Sequence, residues 1–357
     1  MKTNPRMICL SIVFSFLVLT ASSVTAVDAL QVDTPTKVAS NVTSDSNPVW
    51  SPAGNEILFA KEGGLYKAFS NGSGETKLTS TEPVDYSWSP DGSKILYTVL
   101  GPEMEPSDEV WVTNSNGSGK TQLMGPDWKI RYSCTWHPSG SKIAYATVYD
   151  DIGINYGVID LDGSDKQESG TTGITGCIAF SPDASKIAYT DRDYYIRVLD
   201  LNKENSTALS PGDLVHQTQS WQAQAWSPNG SQLVYSSHEN GNWSIYTINT
   251  NGTGKTQLTS NKTNDLSPVF SPDGSKIIFE SDTTGNKDIW VMDANGKNKS
   301  KVTADPSSDL SPVWSPDGSK IAFWSDRGGN NCIYTLNITL EKPIPEFSAS
   351  PISGNAP

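Results

Sequence analysis

The sequence contains few of the residues on which most enzyme and metal chemistry depends. It has three histidines and four cysteines among 357 residues. No Gly-x-Ser-x-Gly segment is present, which an α/β-hydrolase nucleophile elbow requires, and no His-Glu-x-x-His segment, which a zinc protease requires. His137 replaces the serine of a repeated turn, and His216 and His238 lie in loops. We therefore expect no catalytic residue, no metal site and no cofactor, and we predict that the protein is not an enzyme.

Positive charge is also scarce. The chain carries 26 Lys and Arg residues against 39 Asp and Glu residues, which gives a formal net charge of −13. No basic stripe interrupts this excess of acid, so the sequence predicts neither nucleic acid nor anionic lipid as a partner. After Met7–Leu19 no apolar run is long enough to cross a bilayer, and we expect no membrane insertion of the mature chain.

The N-terminal segment has the features of an export signal. Lys2 and Arg6 precede the apolar run Met7–Leu19, and Val24-Thr25-Ala26 provides small residues for cleavage. We expect a signal peptide over residues 1–26. The mature protein is then predicted to be exported, to the periplasm, the cell surface or the extracellular medium.

The remaining cysteines are odd in number. Cys134, Cys177 and Cys332 follow the predicted signal peptide, so at least one thiol is free or bonded to another molecule. Cys134 and Cys177 fall on the innermost strands of adjacent repeats. A disulfide between them would need a short Cα separation, and the sequence leaves that pairing open.

What the sequence has in abundance is one repeated phrase. It combines an aromatic residue, a serine or histidine, a proline and, in most copies, Asp or Asn followed by Gly. The prolines of the seven copies lie 38 to 48 residues apart, a period typical of four-stranded propeller blades. The copies begin at Trp50, Trp88, Trp136, Phe180, Trp226, Phe270 and Trp314.

Each repeat predicts a blade that is covered on both faces. In the sixth copy, Lys276–Glu280 and Asp288–Asp293 are apolar on consecutive residues, which is typical of strands buried on both sides. The aromatic residue of each phrase would wedge between adjacent blades. One blade cannot bury these faces alone, so the sequence predicts an all-β, seven-bladed β-propeller that forms as a closed ring.

The last repeat lacks a fourth strand of the expected type. A matching segment, Lys37-Val38-Ala39, occurs near the start of the chain. We predict that this N-terminal strand pairs onto the seventh blade and removes two open sheet edges. Alternatively, Asn337–Leu340 supplies the strand.

The seven phrases and the strands that follow them resemble the WD40-like (PD40) repeats of the TolB β-propeller family, over about residues 36–337. The resemblance implies a propeller fold and a role in the cell envelope. The chain departs from TolB itself, which resembles a six-bladed propeller behind a small α/β domain. The expected division is a signal peptide over 1–26, a linker over 27–35, the propeller over 36–340 and a disordered Pro- and Ser-rich tail over 341–357.

One short segment invites a calcium interpretation. Asp160–Asp165 contains several carboxylates, which calcium binding would use. The segment lacks the length and terminal Glu of an EF-hand loop, and it aligns with the turn Asp293–Gly296. We predict that it is an ordinary turn.

The strongest indication of function comes from the loops in which the repeats depart from their common pattern. The loops between second and third strands, and the connections between blades, share one face of a propeller. In blades two to five this face is rich in aromatic and charged residues, as a recognition surface requires. The predicted partner-binding residues are Trp128, Arg131, Tyr132, Tyr149, Asp150, Asp151, Asp193 and Trp221.

We therefore expect a monomeric, non-catalytic propeller that binds a protein or glycan of the cell envelope. One alternative is a metal-dependent propeller enzyme that acts on polysaccharide, as a lyase does, or on peptide. The other alternative is a structural surface-layer component.

Ten Asn-x-Ser/Thr triplets are present, and two interpretations stay open. Asn-Gly-Ser is good hairpin chemistry, and the same triplet is an acceptor for surface glycosylation in a host that glycosylates exported proteins. The triplets begin at Asn41, Asn71, Asn116, Asn205, Asn229, Asn242, Asn251, Asn261, Asn298 and Asn337.

Overall fold

Short β-rich runs that alternate with Pro-Asp-Gly and Asn-Gly turns dictate antiparallel strands joined by tight turns. The structure is a computed structural model, and it describes residues 30–43, 46–100, 108–125, 130–149, 153–165, 167–168, 174–191, 195–203, 205–209, 225–239, 241–260 and 262–340. Every regular element in these residues is a β-strand. They belong to one compact unit, Leu30–Leu340.

The first three blades follow the chain in order, each an antiparallel sheet of four strands. Blade one consists of β3 (Val49–Trp50), β4 (Glu56–Lys61), β5 (Gly64–Phe69) and β6 (Thr76–Lys77). Blade two consists of β7 (Asp85–Trp88), β8 (Lys94–Leu100), β9 (Asp108–Asn114) and β10 (Thr121–Met124). Blade three consists of β11 (Ile130–Trp136), β12 (Lys142–Tyr149), β13 (Gly153–Asp160) and β14 (Gln167–Glu168).

Blades four to six have the same order and pairing. Blade four consists of β15 (Ile174–Phe180), β16 (Lys186–Asp191), β17 (Ile196–Asp200) and β18 (Asn205–Ala208). Blade five consists of β19 (Ala225–Trp226), β20 (Gln232–Ser237), β21 (Ser244–Asn249) and β22 (Thr256–Gln257). Blade six consists of β23 (Asp265–Phe270), β24 (Lys276–Ser281), β25 (Asp288–Asp293) and β26 (Ser300–Lys301).

Blade seven is built from both ends of the described chain. Its sheet contains β27 (Asp309–Trp314), β28 (Lys320–Ser325) and β29 (Cys332–Leu340), which are joined by β1 (Leu30–Val32) and β2 (Thr36–Ser40). The predicted seven-bladed, all-β fold is confirmed.

The predicted closing strand is confirmed, and the alternative is wrong. Within β2, Lys37 pairs with Tyr334 and Ala39 pairs with Ile333. Residues 337–340, the alternative source of that strand, instead extend β29, and its end pairs with β1 from Leu30 to Val32. Strand β1 lies inside the segment that the sequence assigns to a linker, so sheet pairing begins six residues before the predicted boundary at residue 36.

The core is a series of apolar layers between neighbouring blades. Ile277, Ile278 and Phe279 are consecutive and all buried, as two-sided coverage requires. The layer that closes the ring joins Ile57 and Phe59 of blade one to residues of blade seven. Each fully buried side chain of this size contributes about 1.5–3 kcal/mol, and none of these layers exists in an isolated blade.

The tryptophans of the repeated phrase reach into the preceding blade, as predicted. The indole N–H of Trp50 donates to the carbonyl oxygen of Val313 at 3.3 Å, across the ring closure. Trp136 and Trp226 donate in the same way to Ser87 and Ala179, at 3.4 and 3.2 Å. These bonds add a directional contact to apolar packing that is otherwise non-directional.

The Ser-Pro-Asp-Gly turn satisfies its own polar groups. In blade six the Ser271 hydroxyl donates to Asp273 at 2.6 Å and accepts from the N–H of Lys276 at 3.0 Å. Asp273 also accepts from the N–H of Ser275 at 3.0 Å. Equivalent bonds lower the pKa of the exposed carboxyls of Asp91 and Asp183 to about 2. The repeated phrase is thus scaffold chemistry.

Prolines and glycines of these turns interlock around the ring. A Cβ on Gly274 would lie 3.3 Å from the ring of Pro228 in the preceding blade, and one on Gly54 would lie 3.5 Å from Pro316. The glycines have φ near +70°, which L side chains rarely adopt. Blade four departs from this rule because Ala184 occupies the glycine position with φ of 59°.

Replacing Ala184 by Gly is therefore expected to stabilise the protein by about 0.5–1 kcal/mol. The left-handed backbone costs an alanine about 1–2 kcal/mol, and glycine avoids this cost. Part of the gain is offset because the unfolded chain has more conformational entropy with glycine than with alanine. The matched reverse change, Gly274→Ala, is expected to destabilise by about 1 kcal/mol. Urea unfolding of both variants measures the difference. A loss of stability in Ala184→Gly would contradict the interpretation.

Candidate functional site

The antiparallel order gives the ring two different faces. The regular face carries the turns between first and second strands and between third and fourth strands, such as Ser271–Gly274 and Asp293–Gly296 in blade six. The irregular face carries the loops between second and third strands and the connections between blades. Asp160–Gly163 forms a regular-face turn, in which the N–H of Gly163 donates to Asp160 at 3.0 Å, so the turn interpretation of that segment is confirmed.

Five of the eight predicted partner-binding residues lie outside the described residues: Trp128, Asp150, Asp151, Asp193 and Trp221. Of the others, Arg131 and Tyr132 belong to β11, and Tyr149 is the last residue of β12. The strand ends on either side of all these positions are at the irregular face. The grouping of the eight side chains stays a prediction.

The first strand of a blade pairs irregularly with the second strand near this face in blades three, four, six and seven. The pairing of β11 with β12 shifts between Ile130 and Ser133, the interval that holds Arg131 and Tyr132. Comparable shifts occur in β15, β23 and β27. A bulge bends its strand and redirects side chains, and bulges are frequent next to functional sites.

Two exposed aliphatic side chains lie on the irregular face of blade two. Val84 precedes β7 and is 51% exposed, and Leu100 ends β8 and is 72% exposed. The N–H of Val84 donates to the carbonyl oxygen of Thr98 at 2.8 Å, which places Val84 beside the end of β8. Sequence reasoning missed this pair, because Ile95–Leu100 is a largely apolar run in which nothing marks where the strand meets solvent.

Several charged groups at the same face of blades six and seven are paired with one another. The Arg327 guanidinium donates to both carboxylate oxygens of Asp309 at 2.8 Å and lies 4.8 Å from the ring centroid of Tyr334. Lys301 contacts the buried Asp288 at 2.7 Å. These groups stabilise the loops that carry them and are not available to a partner without losing those contacts.

Buried carboxylates also fix the backbone there. Glu280 is 5% exposed, and it accepts from the N–H of Ser311 in the next blade at 2.8 Å. Ser311 has φ of 51°, within the bulge of β27. Burial raises the pKa of Asp309 and of Asp265, its counterpart in blade six, although hydrogen bonds oppose the shift.

Asp85 is the most perturbed carboxyl of the described inner strands. It begins β7 at the irregular face, and removal from water raises its pKa from 3.8 to about 7, while the N–H of Tyr86 opposes the shift by donating to it at 2.9 Å. The Tyr86 hydroxyl in turn donates to the carbonyl oxygen of Asn47 at 2.7 Å and anchors blade two to blade one. A carboxyl that titrates near neutrality is a candidate functional group, and no sequence pattern indicated it.

Within the part of the chain that the structure describes, no three His, Cys, Asp or Glu side chains are grouped to hold a metal ion. His137 lies in a regular-face turn, where its Nδ1 accepts from the N–H of Ser139 at 3.1 Å. His238 follows β20 at the irregular face, next to Trp243. No helix among the described residues has the length and apolar character to span a membrane.

Comparison with known proteins identifies the repeats. The family model for PD40, the TolB beta propeller domain, matches residues 157–287 and 282–344, which together exceed half of the chain. No curated protein matches the chain.

Solved structures share the fold at low sequence identity. TolB from Acinetobacter baumannii is 21% identical over 70% of this chain, with a TM-score of 0.51, and the chain covers 64% of that protein's length. An oligogalacturonate lyase in complex with manganese is 16% identical over 87% of this chain and 96% of its own, with a TM-score of 0.67. The oligogalacturonate lyase from Vibrio parahaemolyticus is 14% identical over the same shares, with a TM-score of 0.64.

Asp85 is expected to make stability depend on pH. Its pKa in the folded state lies above its unfolded value, so its favourable contribution is complete below about pH 4 and is lost as the pH rises through about 7. The full shift corresponds to about 4 kcal/mol, and because the residue keeps some contact with solvent we expect a loss of about 2 kcal/mol. The free energy of unfolding, measured with urea from pH 4 to 8, should fall by about 2 kcal/mol less in Asp85→Asn than in the wild type. The same dependence on pH in both proteins would contradict the assignment.

Breaking the Asp309–Arg327 pair is expected to be costly. Arg327→Met leaves a buried carboxylate without its counter-ion and should destabilise by about 3–5 kcal/mol, and adding Asp309→Asn should recover most of that loss. Lys203→Met is the matched control, because Lys203 is 71% exposed in its pair with Asp200 and should change stability by less than about 0.5 kcal/mol. Thermal unfolding of the three variants and the wild type tests this, and equal losses in Arg327→Met and Lys203→Met would refute it.

Proposed function

The chain belongs to the TolB β-propeller family, and from that membership we propose that it is an exported, non-catalytic propeller of the cell envelope that binds a partner through its irregular face. Export rests on the predicted signal peptide over residues 1–26. The contact surface consists of the eight predicted residues together with Val84 and Leu100. The mature protein acts as a monomer.

The observation that carries this proposal is the contrast between the two sides of the irregular face. On blades six and seven several of its charged side chains are paired with one another, as in Asp309–Arg327. On blade two the same face exposes Val84 and Leu100 to solvent. Val84 lies beside the end of β8, which carries Leu100, and neighbouring exposed aliphatic side chains provide apolar area that a partner can cover, which favours a binding surface on this side.

A protein partner fits this surface better than a glycan. Exposed Val and Leu side chains are covered by other apolar side chains at protein interfaces, whereas sugars stack on flat aromatic rings. Trp128, Tyr132, Tyr149 and Trp221 supply flat contact area for either class. Arg131, Asp150, Asp151 and Asp193 supply the charges that set specificity.

The rival function is a manganese-binding lyase, because the match to the oligogalacturonate lyase in complex with manganese covers 87% of this chain. The described residues do not fit a shared histidine site. His137 and His238 lie on opposite faces of the ring, in blades three and five, and a strand of six residues spans about 20 Å between those faces. His216 lies outside the described residues. We derive no catalytic step through a metal for this chain.

Loss of the exposed aliphatic contact, or of the predicted tryptophan contacts, is expected to weaken partner capture. Immobilised wild-type protein should retain a specific protein from the host's envelope fraction, identified by mass spectrometry. Leu100→Ser, and separately Trp128→Ala with Trp221→Ala, should weaken binding of that protein by about tenfold or more, with an unchanged thermal melt.

Phe69→Ser is the matched control, because Phe69 is 43% exposed but ends β5 at the regular face. Equal capture by all variants would refute the proposal. Retention of a polysaccharide instead of a protein would favour the glycan partner. Unsaturated product released from oligogalacturonate in the presence of Mn²⁺ would favour the lyase, and ordered self-assembly of the pure protein would favour the surface-layer alternative.

A further inference from the structure

The Asn-x-Ser/Thr triplets are distributed unequally between the two faces. Nine of the ten begin at described residues, and seven of those nine asparagines are at the regular face, all of them exposed. They are Asn71, Asn116, Asn205, Asn229, Asn251, Asn298 and Asn337. The irregular face has Asn41, which is exposed, and Asn242, which is half-buried and whose third residue, Ser244, is 2% exposed.

Three of the triplets occupy the same structural position. Asn71, Asn116 and Asn251 lie in the turns between third and fourth strands of blades one, two and five. In each, the Asn Oδ1 accepts from the N–H of the residue two positions later at 3.0 Å and from that residue's hydroxyl at 2.7 Å. The side-chain carbonyl is therefore held by the turn, and the amide nitrogen Nδ2 is the atom directed away from it.

Turn chemistry alone does not require the whole triplet. The equivalent turn of blade three has Asp162, whose Oδ1 accepts from the N–H of Ser164 at 2.9 Å and from its hydroxyl at 2.5 Å, so an Asp serves this turn as well as an Asn. The equivalent turn of blade six has Asn295, which accepts from the N–H of Lys297 at 3.0 Å without a hydroxyl. Asp or Asn at the first position and any N–H at the third therefore satisfy this turn, and the Ser or Thr is an additional feature.

We propose that Asn71, Asn116 and Asn251 are N-glycosylation sites, so that sugars cover the regular face and leave the irregular face open to its partner. In the reaction, Nδ2 forms a bond to the anomeric carbon of an oligosaccharide carried on a lipid phosphate. The bond from that carbon to the phosphate oxygen breaks, the lipid phosphate leaves with the electron pair, and the amide proton passes to a base of the host's transferase. The proposal rests on the export that the proposed function includes.

The folded protein accommodates this modification without rearrangement. Glycosylation replaces one hydrogen on Nδ2 and leaves Oδ1 unchanged, so both hydrogen bonds of the turn persist. Each of the three side chains is exposed, and each turn is at the outer part of its blade, where a bulky polar group meets solvent. A glycan at Asn242 would meet a half-buried side chain.

Mass spectrometry of glycopeptides from the full chain, recovered after export by its own host, tests the proposal. The peptides with Asn71, Asn116 and Asn251 should carry oligosaccharide, and those with Asp162 and Asn295 should be unmodified. Ser73→Ala, Ser118→Ala and Thr253→Ala should each remove one glycan and leave the thermal melt within a few degrees of the wild type. Asp162→Asn should add one glycan in blade three, because it completes the triplet in an equivalent turn.

Exported protein whose three peptides are unmodified would overturn the proposal, as would glycans confined to Asn41 and Asn242. These outcomes are distinct from failure of the proposed function. Recovery of the protein only inside the cell, with residues 1–26 retained, would show that export failed and would overturn both proposals. Loss of partner capture is measured separately, with the irregular-face variants.

Discussion

Burial of both faces of every blade is the constraint on which the rest of the structure depends. Residues such as Ile277 and Phe279 are inaccessible only because another blade covers each side, so no blade is stable until its neighbours are in place. Closure follows from the same requirement. The chain meets it with β1 and β2 paired to β29, and with Trp50 bonded to Val313 across the closing layer. A ring closed by strands from both ends leaves no open sheet edge at that joint.

The two faces of this ring differ because of how the turns are made. A tight turn at the regular face must satisfy its own polar groups, and Ser271, Asp273 and Ser275 do so entirely with one another and with the backbone. The loops of the irregular face are not held to one length or one bonding pattern. They vary from blade to blade without disturbing the apolar layers beneath them, and variation of this kind is what a recognition surface requires.

The sequence predicted what recurs and missed what occurs once. Seven equivalent aromatic wedges, each followed by a proline-containing turn, carry the same information seven times, and the absent fourth strand of blade seven pointed to Lys37–Ala39. Strand β1 was missed because a three-residue pairing has no periodicity to recognise. The Asp309–Arg327 pair was missed because the two residues are 18 positions apart and meet only through one loop conformation. The exposure of Leu100 and the desolvation of Asp85 depend on where a buried strand meets solvent, which an apolar run does not specify.

The fold by itself does not choose between functions, since TolB and oligogalacturonate lyases share it with this chain. The choice depends on how the irregular face uses its charged and apolar groups. A lyase-like metal site needs ligands that converge, whereas His137 and His238 are at opposite faces. A binding surface needs exposed apolar area next to unpaired polar groups, supported by a rigid frame. Blades six and seven supply the frame, because Glu280, Asp288 and Asp309 are committed to neighbouring groups. Blade two supplies exposed apolar area on the other side, and recognition is therefore the function that this division of the face favours.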